Sequence, residues 1–234
     1  SETDVPATTT NPPPTITPTY SLDSWQELPV YPDSVSQRVM DIYLSGQSMG
    51  NNPRAFSRMG DCDSLPFSFL GDFDKGLNYY NLGEYGYLEG VIEYFQGSWE
   101  RTGMTAKDGF NTASMLSPLW ADPEFCESGE TPLQCEVRLN KPSFMLIALG
   151  SNDFGQPERF ENNMRKILDY LIANGVVPIL GTKADNLEGD HRINSLIGQL
   201  AYEYELPVWI FWRAVQPLDN HGIRRDDNYH PTHP

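Results

Sequence analysis

Three apolar runs in the C-terminal half constrain this chain more than any other feature: "SFMLIALG" from Ser143, "VVPILGT" from Val176 and "LPVWIFW" from Leu206. Each is short and lacks polar alternation, as expected of strands buried on both faces of a sheet. Between the first two, Pro157 stands at a first helical position, and Phe160, Met164, Ile167, Leu168, Leu171 and Ile172 form an apolar stripe ending near Gly175. Between the second and third, Ile193, Leu196, Ile197, Leu200, Ala201 and Tyr204 form another. Strand, helix, strand, helix, strand at this spacing predicts a parallel sheet with helices on both faces, a three-layer α/β/α architecture.

Upstream, "DSVSQRVMDIYLSGQ" places Val35, Val39, Ile42 and Tyr43 at helical spacing after an Asp33 or Ser34 cap. "AFSRM" reads as a short strand before a turn at Gly60, and "YLEGVIEYFQ" and "GFNTASMLSPLW" as helices. The tyrosines of "LNYYNLGEYGYLEG" read as core packing and loop staples rather than sugar-stacking platforms. The globular pattern covers 25–234. Residues 1–24, with "ATTTNPPPTITPTY", have almost nothing to bury and favour extended polyproline II. They are expected to form a flexible or O-glycosylated stalk, or an extended arm laid along a neighbouring copy in a self-assembly.

In a parallel sheet of this kind, ligands bind beyond the carboxyl ends of the strands. The chemistry-bearing residues fall there. Gly60, Asp61, Cys62, Asp63 and Ser64 follow "FSRM"; Gly150, Ser151, Asn152 and Asp153 follow "SFMLIAL"; Asp227 and His230 follow the last strand. The spacing of Asp227 and His230 lets a carboxylate orient an imidazole, and Gly109 in "AKDGFNTASML" puts a bare N–H at the mouth of a helix.

Over about residues 35–234 these blocks, in this order, resemble the SGNH or GDSL-type hydrolases. The matching segments are Gly60-Asp61-Cys62, Gly109, Gly150-Ser151-Asn152-Asp153 and Asp227-Asn228-Tyr229-His230. The resemblance implies a flavodoxin-like parallel sheet and ester cleavage, often of acyl groups on carbohydrates or lipids. His230 would be the general base, Asp227 its orienter, and Asn152 with the Gly109 N–H the oxyanion donors. No metal and no organic cofactor is implied. The chain departs from the family pattern at the nucleophile, where Cys62 stands in the serine position. A thiol is competent when a histidine takes its proton, but flanking Asp61 and Asp63 raise its pKa. Ser64, two residues on, is the other nucleophile reading, and a turn or cap hydroxyl is its bland one. Ser48 in "GQSMG" ranks behind both because its segment reads as helix. Asp61, Asp153, His191 and Tyr229 are expected near the pocket, His191 also suiting a polar helix start.

Composition bounds the partners. Lys and Arg number 16 against 32 Asp and Glu, a net charge of −16 that disfavours nucleic acid and anionic membranes. No apolar run is long enough to span a bilayer. The absence of a hydrophobic leader fits a mature chain whose signal has been removed. Cys126 and Cys135 bracket a short loop and are expected to pair, which fits an extracellular or cell-surface protein and leaves Cys62 unpaired. Two functions are carried forward: an extracellular hydrolase of a glycan or small ester, and a non-catalytic surface or filament-forming module built on the same fold.

Overall fold

In the computed structural model, which describes Ser21 and residues 24–232, four strands lie parallel in the order β1 (Asn52–Gly60), β2 (Pro142–Ala148), β3 (Val177–Gly181) and β4 (Val208–Trp209). The pairings Met59 with Ile147, Ile147 with Leu180, and Gly181 with Trp209 bring the carboxyl ends level at one edge of the sheet. The described α-helices are α1 (Gln37–Ser48), α2 (Glu89–Tyr94), α3 (Thr112–Met115), α4 (Pro132–Asn140), α5 (Pro157–Ala173), α6 (Arg192–Glu203) and α7 (Phe211–Val215). The fold is therefore the expected α/β one, a parallel sheet flanked by helices.

The alternation of β2 separates two packing environments. Met145 and Ile147 join Leu133 and Val137 of α4 and Met164 and Leu168 of α5 in the larger core. Phe144 and Leu146 pack against Phe56, Ile92 and Trp99, and Tyr43 of α1 stacks on Phe144 at 5.7 Å. Each large apolar side chain so buried contributes about 1.5–3 kcal/mol. Trp25, where the globular pattern starts, is buried against α6 and donates to Ser195 Oγ at 3.1 Å. The Thr/Pro arm lies almost wholly outside the described residues.

Several elements are shorter than the sequence suggests. "GFNTASMLSPLW" gives only the four residues of α3 and a 3-10 turn at Pro118–Trp120. Pro118 lacks an N–H and holds Ser117 extended, which ends the helix. The last strand is two residues long because the chain turns at Ile210 into α7. Helix α4 is absent from the reading above, although Thr131 and Gln134 form a capping box and Pro132 takes the first turn. The tyrosine-rich segment also departs from expectation: Tyr80 packs edge-on against Phe73, but Tyr79, Tyr85 and Tyr87 are exposed. Cys126 and Cys135 are joined by a disulfide, S–S 2.06 Å, and Cys62 is free. No described helix is long and apolar enough to cross a membrane.

Candidate active site

Gly60 ends β1 where three segments crowd together. Its N–H donates to Thr105 O at 3.0 Å, and Lys107 N donates to Gly60 O at 3.2 Å. A Cβ here would stand 1.9 Å from Ser64 Oγ and 2.6 Å from Ala148 O, so the position admits no side chain. The chain then turns through a 3-10 segment, Cys62–Ser64, capped by Asp61, whose Oδ1 accepts from Asp63 N at 3.2 Å.

Asn152, in the turn after β2, links this loop to the others. Its Nδ2 donates to Phe110 O at 3.1 Å and to Asp61 Oδ2 at 3.3 Å. The Phe110 carbonyl can only accept, so it fixes the amide and turns Oδ1 toward the Tyr229 hydroxyl, 3.1 Å away. That hydroxyl also lies 3.4 Å from Asp61 Oδ2. One phenolic proton serves two acceptors and goes to the nearer amide oxygen; the second contact closes when Asp61 is protonated and donates. Burial, reinforced by the charge of Asp63, pushes Asp61 up to about 6, so that proton is present in mildly acidic solution.

Two residues from Tyr229, Asp227 gathers three donors. Its Oδ1 accepts from Tyr229 N at 2.9 Å and His230 N at 3.0 Å, and Oδ2 meets His230 Nδ1 at 2.9 Å. The His230 bond first, and then the backbone bond, hold Asp227 down to about 2. An ionised Asp227 requires the proton on Nδ1, which leaves Nε2 as the basic nitrogen. Tyr229 packs edge-on against the His230 ring, 4.3 Å between centroids.

Burial first, then Asp61, Asp63 and Asp108, push the half-buried Cys62 thiol up to about 11, so it rests protonated at neutral pH. Ser64 is 3% exposed, lines the cavity described below, and its Oγ makes no hydrogen bond among the described residues. Gly109 has φ +74°, is exposed, and its N–H is likewise unengaged among the described residues, as is that of Cys62.

Thus Asp61, Asn152 and Tyr229 are joined directly, Cys62 and Ser64 sit on the loop they hold, and Asp227 and His230 hang on Tyr229. Among the described residues no hydrogen bond joins the His230 ring to Cys62 or Ser64. Both hydrogens of Asn152 are committed to protein acceptors, so an oxyanion there would have to displace Asp61. Asp153 serves the scaffold: burial raises its pKa, and it accepts from Thr112 Oγ1 at 2.6 Å and Thr112 N at 3.1 Å. His191 lies away from the cavity, between Trp25 and Trp212, where burial lowers its pKa and its Nδ1 has no partner among the described residues. Ser48 bonds to Leu44 O at the end of α1.

A cavity of about 200 Å³ opens beyond the carboxyl ends of the strands. Asp61, Asp63, Ser64 and Tyr229 line it, together with residues the sequence reading did not single out: Phe69, Lys183, Asp185, Trp209 and Phe211. Lys183, Asp185 and Trp209 lie at the end of a strand or just beyond it, so the strand-end rule contained the signal. Asp61, Cys62 and Asp63 also bring three ligand-type atoms within 4.8 Å of one another, an arrangement whose charge suits cations rather than anions.

No protein-family model matches the chain, and no curated protein matches it. Among solved structures it is similar to a GDSL-like lipase from Bacteroides thetaiotaomicron, at 14% identity and a TM-score of 0.45, over 83% of this chain and 89% of that one.

Proposed function

We propose that this chain is an SGNH-type ester hydrolase of the extracellular space, with Cys62 as its nucleophile, acting on a small ester or an ester of a carbohydrate. The observation that carries the reading is the Asp227–His230 pair, with a basic Nε2, attached through Tyr229 to the loop bearing Cys62. In the reaction, Nε2 takes the thiol proton as sulfur bonds to the ester carbonyl carbon. The unengaged N–H groups of Cys62 and Gly109 are the donors available to the resulting oxyanion. Collapse breaks the carbon–oxygen bond, and His230 returns the proton to the departing alcohol. Water, deprotonated by His230, then cleaves the thioester, releasing the acid and the thiol. The disulfide supports an oxidising compartment.

A second reading, a non-catalytic binding or assembly module, draws on the high pKa of Cys62 and the committed amide of Asn152. Hydrolysis of p-nitrophenyl acetate by the full chain separates the two. Cys62→Ala and His230→Ala are expected to lower kcat by about 10²–10⁴-fold, with Ser64→Ala retaining most activity. Loss in Ser64→Ala and not in Cys62→Ala would move the nucleophile; no turnover, or turnover indifferent to His230, leaves the module.

A further inference from the structure

We propose that the groove running from Asn152 along α5 binds a stretch of acidic polysaccharide, a chain that carries carboxylates and hydroxyls together. The choice of a polysaccharide over an acidic peptide rests on the hydrolase reading; the anion site itself does not. Two adjoining cavities form the groove, of about 230 and 470 Å³, and they share Ala113 and Arg159. The first begins at Asn152, whose amide ties the loops of the candidate active site together. The second follows one face of α5, where Arg159, Asn163, Lys166 and Tyr170 recur at helical spacing.

Charge singles this groove out. The chain carries 32 Asp and Glu against 16 Lys and Arg, but two cations line the groove against one carboxylate, Asp153. That carboxylate is already bonded to Thr112. The hydrogen bond of Arg159 goes to the neutral Gln156 Oε1 at 3.1 Å, and Lys166 makes no hydrogen bond or ion pair among the described residues. Neighbouring acids have other partners: Glu130 meets Arg138 at 2.6 Å and Glu161 meets Arg165 at 2.7 Å.

The hydrogen-bonding groups define what the ligand carries. Asn111 Oδ1 accepts from Ser114 N at 3.0 Å, Gln134 Oε1 from Thr131 N at 2.9 Å, and Gln156 Oε1 from Arg159. Those partners can only donate, so each amide is fixed with its oxygen used internally and its NH2 group without an acceptor among the described residues. Asn163 is the reverse case. It is 9% exposed, and its Nδ2 donates to Thr112 Oγ1 at 3.2 Å. Thr112 Oγ1 gives its own proton to Asp153 and can only accept, which leaves Asn163 Oδ1 as an open acceptor. A bare carboxylate or sulfate would satisfy the cations and the amides but not that oxygen; a hydroxylated acid satisfies both. Arg159 and Lys166 stand seven residues apart, about 10 Å along the helix, farther than one small anion spans. An acidic peptide could present the same charges, but it carries no ester for the adjoining site. The overall charge of −16 still opposes a large polyanion, so the fit is to a short stretch held locally.

The test titrates tetragalacturonate, its carboxyl-reduced neutral counterpart and tetraglutamate calorimetrically into the full chain at about 0.15 M salt, where distant surface charge is screened. The acidic tetrasaccharide is expected to bind saturably and about tenfold more tightly than the neutral one, with Arg159→Gln and Lys166→Gln each weakening it several-fold. Both side chains are exposed, so neither substitution touches the core. Equal affinity for acidic and neutral sugars, binding unmoved by both substitutions, or tighter binding of tetraglutamate would overturn the proposal. Monomeric galacturonate binding as tightly as the tetramer would overturn the extended site. O-acetylated tetragalacturonate and p-nitrophenyl acetate then separate the two readings. Binding of the acidic chain with neither ester cleaved would sink the hydrolase and keep the groove. Cleavage of p-nitrophenyl acetate without binding of the acidic chain would keep the hydrolase and sink the groove.

Discussion

The loop after β1 and the loop after β3 face the same cavity, and both carry buried carboxylates, yet they treat them oppositely. In the β3 loop, Asp185 and Glu188 share the Lys183 ammonium, and Asp185 also accepts from Ser151 Oγ at 2.5 Å and Leu187 N at 3.2 Å. In the β1 loop, Asp61 meets no cation among the described residues, and its contacts to Asn152 and Tyr229 are long, 3.3 and 3.4 Å. The consequence appears in its proton affinity: Asp61 is pushed up to about 6. One loop is electrostatically closed and structural. The other leaves Asp61 buried without an ion-pair partner among the described residues, and its carboxyl holds its proton more tightly as a result.

Three experiments can break or sharpen this contrast. The largest effect is expected at Lys183: Lys183→Met strands two buried carboxylates and should cost about 3–5 kcal/mol in urea unfolding at pH 7. A cost below ~1 kcal/mol would mean the network is not buried as described. Asp61→Asn should act in the other direction. Because folding raises the pKa of Asp61, the folded state holds the proton more tightly, and native stability falls as pH rises from about 4 to 6. Removing the charge should therefore stabilise the protein above pH 6 by at most ~3 kcal/mol and make little difference below pH 4. Equal effects at pH 4 and pH 8 would refute the charge explanation. The smallest effect concerns Cys62. Asp63→Asn should speed its alkylation by iodoacetamide at pH 8 several-fold, followed by mass spectrometry, since a fall of one pH unit in thiol pKa gives about ten times the thiolate. An unchanged rate would show that Asp63 does not act on the sulfur through space.

Much of the frame was legible in sequence because burial on both faces writes itself as unbroken apolar runs. β2 and β3, and helices α5 and α6, lie where the runs and stripes place them. The strand-end rule puts Asp61 and Asn152 in one zone, and the pairing of Asp227 with His230 follows from a local turn of four residues. What failed to show was set by tertiary contact. Lys183 reads as an ordinary surface lysine until its loop folds over it, and Trp209 and Phe69 become one wall only through stacking. His191 looked like a pocket residue because it follows a strand, but the chain carries it past the cavity to the two tryptophans. Tyr229 stood between the two motif residues as an expected neighbour; its role as the link between loops depends on a hydroxyl contact no spacing reveals.

The segment bearing Asp227 and His230 is closed on itself. Ile223 bridges Pro231, Arg224 N donates to His230 O at 2.9 Å, and Thr232 N to Gly222 O at 2.8 Å. The orientation of the imidazole is thus an internal property of an eleven-residue stretch, 222–232, rather than of the sheet it rests on. Such a stretch is a local cassette in which the alignment of acid and base is set by the turn's own bonds. Its distance from the sulfur is set by what anchors the stretch: the Tyr229 hydroxyl on Asn152, Asn220 Nδ2 on Ile223 O, and Arg225 on Asp219.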